Sequence, residues 1–458
     1  MTAADVSLRA AFTGDRGRLL AGLLFAEFGT AVQAIAQGAV LPLASRELHG
    51  AALYGATLSG PGLAGILFAV LGPALSARLG PRGTLLGSTV VYLVGVLLAV
   101  LAPTMALVLA GRLLQGAAAG LLNAFGLNAV GALYEDALRP RVVATFSLAW
   151  LLPSIVGPVV NAAVAELAGW RAAMAWPALL VLLARLVIGR SAGLLPRAPG
   201  GVRTPYASSL LVLAGLALTA LAPGLDAALR LPGWIAGLAL ATAAAVRVVV
   251  VLTAAERAKR LVLGVYTGMI VAYFGGEGLL PLGLIDIAHV GVAGAGAALA
   301  AGAVCWSLMN LRPPGERVRR VAPPLAAAGI TTALLALAAT VLPGLTGPLP
   351  LVVALVAWAV AGSGMGLSWT SLSSATFEGA AQADVPALSA AIAFAQGTGG
   401  AAASLIGSGF YSVAAGVLPD RLGIGGGYLV TAAVAVATLV VAALLAARPR
   451  AAAAPPVR

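Results

Sequence analysis

The sequence predicts an all-α polytopic membrane protein: two six-helix bundles with two extra central helices, fourteen spans in all, and both termini in the cytoplasm. Three observations carry this. The 458 residues are 61% hydrophobic and only 9% charged, against about a quarter charged in soluble proteins. The apolar residues form long unbroken runs near the ~20 residues a helix needs to cross a bilayer, not the roughly ten-residue alternating segments of a membrane barrel. The cationic residues collect in every second connection, as they do on cytoplasmic loops.

Runs bounded by charged or Pro/Gly-rich breaks place the first six spans at about 18–43, 53–75, 83–102, 104–130, 141–165 and 170–189. The first run is too long for a signal-peptide core and reads as an uncleaved span. A basic, proline-rich break follows at Arg190–Pro205. Two central runs lie at about 207–223 and 233–253, the former the shortest of all. After a short charged break the last six fall at about 261–284, 289–310, 324–342, 349–372, 386–415 and 425–447. The domains expected are therefore 1–203, a first bundle; 204–256, the central loop and extra pair; and 257–458, a second bundle and tail.

With the N-terminus inside and the spans alternating, 20 of the 27 lysines and arginines fall on inside segments. Arg46, Arg171, Arg230 and Arg421 fall outside, and Arg112, Arg185 and Arg247 fall within spans. This layout accounts for the net charge of +12 without a nucleic-acid partner. Removing the central pair would reverse no other span, so charge alone does not separate twelve spans from fourteen. A faint internal echo supports two bundles: Val40–Leu43 reads VLPL and Leu279–Leu282 reads LLPL, each ending the first span of its six. Repeated halves with a site at their interface are a common plan for membrane transporters. The single cysteine, Cys305, excludes an intrachain disulfide.

Arg112, in GRLLQGAAAG, lies about eight residues into the fourth span from the outside, or roughly 12 Å at 1.5 Å per residue. A charge at bilayer depth is costly and usually functional; the alternative is that Arg112 snorkels to the interface. Gln115, one turn on, shares its face. Glu27 falls near the midplane in the first span, where a proton carrier must load and release; the alternative is a structural acid permanently paired with an arginine. Glu277 lies toward the outer end of the ninth span among Gly275, Gly276 and Gly278, where the helix is expected to bend or open, or is an interfacial acid. Asp286 and Asp226 read as loop acids. In the fifth span Pro158 removes a backbone donor and is expected to kink the helix, so Gly157–Pro158 forms a hinge or a packing kink. Gln33, Gln37, Asn123, Trp150, Asn161, Tyr273, Trp306, Trp369 and Gln396 could together line a weakly polar cavity with little fixed charge. No zincin spacing or Walker loop is present, and neither a catalytic residue set, a metal site nor a cofactor is expected.

Four stretches carry a resemblance. GRLLQGAAAG resembles the fourth-helix motif of the major facilitator superfamily, with Arg112, Gln115 and Gly116 at its positions. VGPVVNAAVAELAGWRAAM resembles the fifth-helix antiporter motif, matching Gly157 and Pro158, with Asn161 where glycine is usual. LSARLGPRG resembles the loop signature between helices two and three: Arg78, Gly80 and Arg82 are kept, but Ala77 replaces the usual Asp. GSGMGLSWTSL looks like the corresponding helix of the second bundle. The nearest look is the drug:proton antiporter branch with fourteen helices. The resemblance implies that Arg112 takes part in proton coupling, that Gly157–Pro158 belongs to the antiport seal, and that Glu27 lies close to the branch's acidic first-helix position. It also implies a charge latch at the loop signature, which Ala77 puts in doubt.

The function expected is proton-coupled export of small apolar or amphipathic compounds by a monomeric, multi-pass protein of the cell membrane. Its partners would be a small-molecule substrate, protons and the lipid bilayer. An uncoupled facilitator or an exporter of lipids or natural products is the alternative within transport. A non-transporting receptor or assembly protein is the alternative outside it.

Overall fold

A computed structural model of the chain describes residues 12–133, 145, 149, 151–191, 206–254, 256–310, 316–343, 347–378, 380 and 385–447. Among the described residues there are thirteen α-helices and no strand beyond one isolated bridge. The first five are α1 (Gly14–Glu47), α2 (Tyr54–Val100), α3 (Met105–Leu133), α4 (Leu151–Ala175) and α5 (Pro177–Ser191). The central pair is α6 (Tyr206–Leu221) and α7 (Ala227–Leu252). The remainder are α8 (Arg257–Leu282), α9 (Gly291–Asn310), α10 (Glu316–Thr340), α11 (Leu349–Phe377), α12 (Val385–Ala414) and α13 (Asp420–Ala446). Eleven stretches among the described residues are long and apolar enough to cross a membrane.

The helix count fits the fourteen expected because α2 is two helices joined end to end. Its 47 residues would reach about 70 Å as one rod, more than twice the ~30 Å hydrocarbon core. The chain breaks at Gly80, with φ 71 and ψ 172, a backbone region that a Cβ excludes. Gly169, with φ 80 and ψ 171, makes the same break in α4. Gly157 and Pro158 lie within α4, twelve and eleven residues before Gly169.

Helices approach closely where glycine removes the side chain, as small residues permit in membranes. A Cβ at Gly116 of α3 would stand 2.1 Å from the Pro61 carbonyl of α2, and one at Gly362 of α11 would stand 2.0 Å from the Gly302 carbonyl of α9. The same use explains Gly275, Gly276 and Gly278. The helix α8 runs on through them, and a Cβ at Gly407 of α12 would meet the Gly275 carbonyl at 2.2 Å. These glycines seat neighbouring helices rather than bending their own.

In the first part of the chain α1 packs on α4 and α5, and α2 on α3; in the last part α8 packs on α12 and α13, and α11 on α9 and α10. The two parts meet through α2 with α12 and through α4 with α9. Both members of the central pair are helices, which the charge layout could not decide. They share an apolar cluster with α2 and α12 that includes Ile66, Leu216, Ala244 and Leu405. Trp234 of α7 also donates its ring N–H to the Leu405 carbonyl at 2.8 Å.

Candidate functional site

The apolar interior of the first part is interrupted by one polar network. Gln33 and Gln37 lie one turn apart on α1, and both amides donate to Gln115 Oε1 on α3, at 2.8 and 3.2 Å. Tyr92 of α2 donates its hydroxyl to Gln33 Oε1. Arg185 of α5 stands over the Tyr92 ring with its guanidinium carbon 5.0 Å from the centroid, and its Nη1 reaches Ser88 Oγ at 3.3 Å and Thr89 Oγ1 at 3.1 Å. Arg112 is half-buried and interacts electrostatically with the same Tyr92. Buried polar groups are costly unless paired, so the network ties four helices into one arrangement. The spacing of Gln33 and Gln37 was legible in sequence. The roles of Arg185 and Tyr92 were not: an arginine inside an apolar run shows that a partner is needed, never which one. Arg112 and Glu277 lie in different parts of the chain, on α3 and α8. Glu27 is half-buried on α1.

The second part carries an aromatic wall. Tyr273 of α8 stacks on Trp358 of α11, centroids 4.9 Å apart, and meets Trp306 of α9 edge-on at 5.3 Å. Trp306 lies 5.1 Å from Trp369 and 5.9 Å from Phe274; Trp369 lies 4.9 Å from Tyr266. Gln396 of α12 donates to the Tyr266 hydroxyl at 2.8 Å. Tyr266, Tyr273 and Trp358 are buried foundations, whereas Phe274, Trp306, Trp369 and Gln396 are half-buried. Glu277 is one turn beyond Tyr273 and Phe274 on α8, and its Oε2 is buried without a hydrogen-bond partner. Four of the expected cavity residues, Tyr273, Trp306, Trp369 and Gln396, thus converge. Asn161 stands apart, buried on α4 and accepting the Trp176 ring N–H at 3.0 Å. Trp150 and the side chains of Asn123 and Pro158 lie outside the described residues. Arg78 and Arg82 are exposed on either side of Gly80, and Gly157 is buried.

The end that the charge layout assigns to the outside holds the two parts together. Arg46, at the end of α1, pairs with Asp286. Asp286 is no loop acid: it lies in a π turn, Gly283–Ile287, that continues α8. The π turn also explains why the VLPL/LLPL echo fades in sequence. Arg46 and His49 follow Pro42 by four and seven residues, whereas Asp286 and His289 follow Pro281 by five and eight. A π turn absorbs one extra residue, and both histidines then end their helices at positive φ, 48 and 54. Nearby, the Tyr54 hydroxyl donates to the Gly278 carbonyl at 3.3 Å, and the Gly55 N–H to Ser412 Oγ at 3.1 Å. Glu47 accepts from Arg171 at 2.5 Å and from the Trp170 ring N–H at 2.6 Å. These bonds, Arg171 first, hold its carboxyl below its ordinary value.

Comparison with known proteins gives one family and one fold. The Major Facilitator Superfamily profile matches residues 23–404. Two curated relatives, each described as a "Probable multidrug-efflux transporter", come from Mycobacterium tuberculosis strains H37Rv and CDC 1551. Each is 28% identical over 170 residues, 37% of this chain. The match spans 36% of those relatives' own length. Among solved structures, the POT family transporter PepTSo superposes with a TM-score of 0.67 at 12% identity, covering 93% of this chain and 98% of that one. An auto-inhibited POT family peptide transporter gives 0.66 at 16%, covering 94% and 97%. At these identities the likeness is one of fold.

Proposed function

The chain belongs to the Major Facilitator Superfamily, and we propose that within it this protein exports small apolar or amphipathic compounds in exchange for protons. It is a multi-pass membrane protein and a transporter rather than an enzyme. The proposal extends to a monomer in the cell membrane, built as bundles 1–203 and 257–458 about the central segment 204–256, that rock about a midplane site.

One observation carries the reading: a buried carboxylate oxygen without a partner, on Glu277, adjoins a wall of half-buried aromatic faces. A buried carboxylate oxygen with no hydrogen-bond partner is free to take up a proton, which suits a group that loads and releases one within a cycle. Phe274, Trp306 and Trp369 offer apolar contact to a substrate, with Gln396 as a polar anchor at the edge. Glu27 is the second proton-carrying candidate, and Arg112 modulates the pair from the first bundle. The description of the mycobacterial relatives as multidrug-efflux transporters is consistent with this substrate class. The contacts at Arg46–Asp286, Tyr54 and Gly55 are those of a state closed at the outer end, which must part for release.

The test is substrate-driven proton flux in liposomes with an imposed pH gradient. Glu277→Gln should abolish coupled exchange while leaving substrate binding, read by tryptophan fluorescence, within about threefold (~0.6 kcal/mol). Coupled flux at the wild-type rate in Glu277→Gln and in Glu27→Gln would remove both assignments. Wild-type flux insensitive to the gradient would make the protein a facilitator.

A further inference from the structure

A cavity lies away from the aromatic wall. It is a cleft of about 590 Å³ between one end of α8, α10, α11 and α13, the end that the charge layout assigns to the cytoplasm. Its walls are apolar, with Val262, Phe377 and Leu445 among them. Its rim carries Arg319 and Arg320, both exposed, together with Ser374 and Glu378. The helices that flank it turn large apolar side chains outward beside the mouth: Val321 is 45% exposed and Leu325 64% on α10, and Val440 53% and Leu444 63% on α13.

We infer that this cleft binds one anionic phospholipid, with the phosphate at Arg319 and Arg320 and an acyl chain along the apolar wall. The inference rests on the juxtaposition of three features: paired guanidinium groups at one end, an apolar groove below them, and lipid-facing side chains on both flanks. A soluble phosphate compound would use the arginines and leave the groove unfilled. A lipid without phosphate would fill the groove and leave the arginines unused, and a zwitterionic one would bring its own cation beside them. Basic pockets between membrane helices on the cytoplasmic side recognise anionic head groups by this combination. Arginine suits the task because its planar fork binds phosphate oxygens in pairs. Glu378 on the same rim opposes a negative head group, and it has an interaction of its own, so it lowers the preference without cancelling it. The site is independent of the transport assignment above, because it shares no residue with the aromatic wall.

Native mass spectrometry of the detergent-purified full chain, titrated with phosphatidylglycerol or phosphatidylcholine of the same acyl chains, tests this directly. One arginine near an anionic head group is worth roughly fivefold, so two arginines with Glu378 opposing should make the wild type retain phosphatidylglycerol over phosphatidylcholine by at least roughly fivefold. In R319Q/R320Q the two lipids should be retained equally. A446W, which fills the cleft wall with both arginines in place, should lose the bound lipid as well, and it carries the test if the double variant does not fold. Equal phosphatidylglycerol retention by wild type and either variant at an unchanged melting temperature would overturn the inference. So would displacement of the lipid by millimolar inorganic phosphate or glycerol phosphate, which would mark a site for soluble phosphates instead.

Discussion

Gly116 offers the sharpest test of how the first part of the chain is held together. It sits in the GRLLQGAAAG stretch beside Gln115, where α3 crosses α2. A methyl group placed there would stand 2.1 Å from the Pro61 carbonyl oxygen and 2.4 Å from the Pro61 Cα. An ordinary carbon–oxygen approach is about 3.3 Å, so the two helices would have to part by about 1.2 Å along that direction. Both obstructing atoms are backbone, so no rotamer change relieves the clash. Overpacking of this kind costs about 1–3 kcal/mol. Alanine's better helix propensity returns up to about 1 kcal/mol, leaving Gly116→Ala destabilised by roughly 1–2 kcal/mol. Gly87, on the second half of α2, is the internal control: nothing lies within 4 Å of its would-be Cβ. Gly87→Ala should therefore gain up to about 1 kcal/mol. Thermal unfolding in detergent, followed by thiol-reactive dye at Cys305 and by tryptophan fluorescence, should show shifts of opposite sign. The close-approach account is refuted if Gly116→Ala melts at or above wild type, or if the two variants shift equally. Parting α2 and α3 also strains the Gln115 contacts with Gln33 and Gln37, so loss of transport is expected to accompany the lower melting temperature.

Other consequences follow from the polar contacts. The partly exposed Arg46–Asp286 pair is worth about 0.2–1 kcal/mol. R46D or D286R alone should accordingly raise the outer-open population up to about fivefold, read as labelling of an introduced outer cysteine in a C305S background; failure of the R46D/D286R exchange to bring labelling back down to the wild-type level would count against a tie between these two. Tyr92→Phe leaves Gln33 Oε1 buried without its donor and should cost about 1–3 kcal/mol of stability, whereas removal of an exposed hydroxyl would cost nothing measurable. Glu47 has a folded-state value held below its ordinary 4.5 by Arg171 and Trp170. Its stabilising contribution is therefore fully present above that ordinary value and is lost as pH falls through the lower folded value. The melting temperature of wild type should fall more steeply than that of E47Q below about pH 4.5, and parallel profiles would show that these hydrogen bonds do not report on stability.

The sequence by itself determined the class and the path of this chain. Long apolar runs force helices because unpaired backbone is intolerable in hydrocarbon, and the gap between the runs at 53–75 and 83–102 already parts the two halves of α2. The family was legible in Arg112, Gln115 and Gly116, which lie within one short stretch. The central pair was not decided by charge, since two added spans restore the original direction; only packing of α6 and α7 against α2 and α12 settles that both are helices. Partners across the fold were equally hidden. Arg185 reads in sequence as an unexplained cation, and Tyr92 meets it only because α2 and α5 lie side by side. The glycines around Glu277 look like a bend along one helix, yet they serve its neighbours, because their meaning depends on Gly407, Ser408 and Trp358 on other helices. Asp286 looks like a loop acid until the π turn carries it opposite Arg46. What repeats along one helix can be read from spacing; what two helices do to each other is fixed by register, and register exists only in the folded chain.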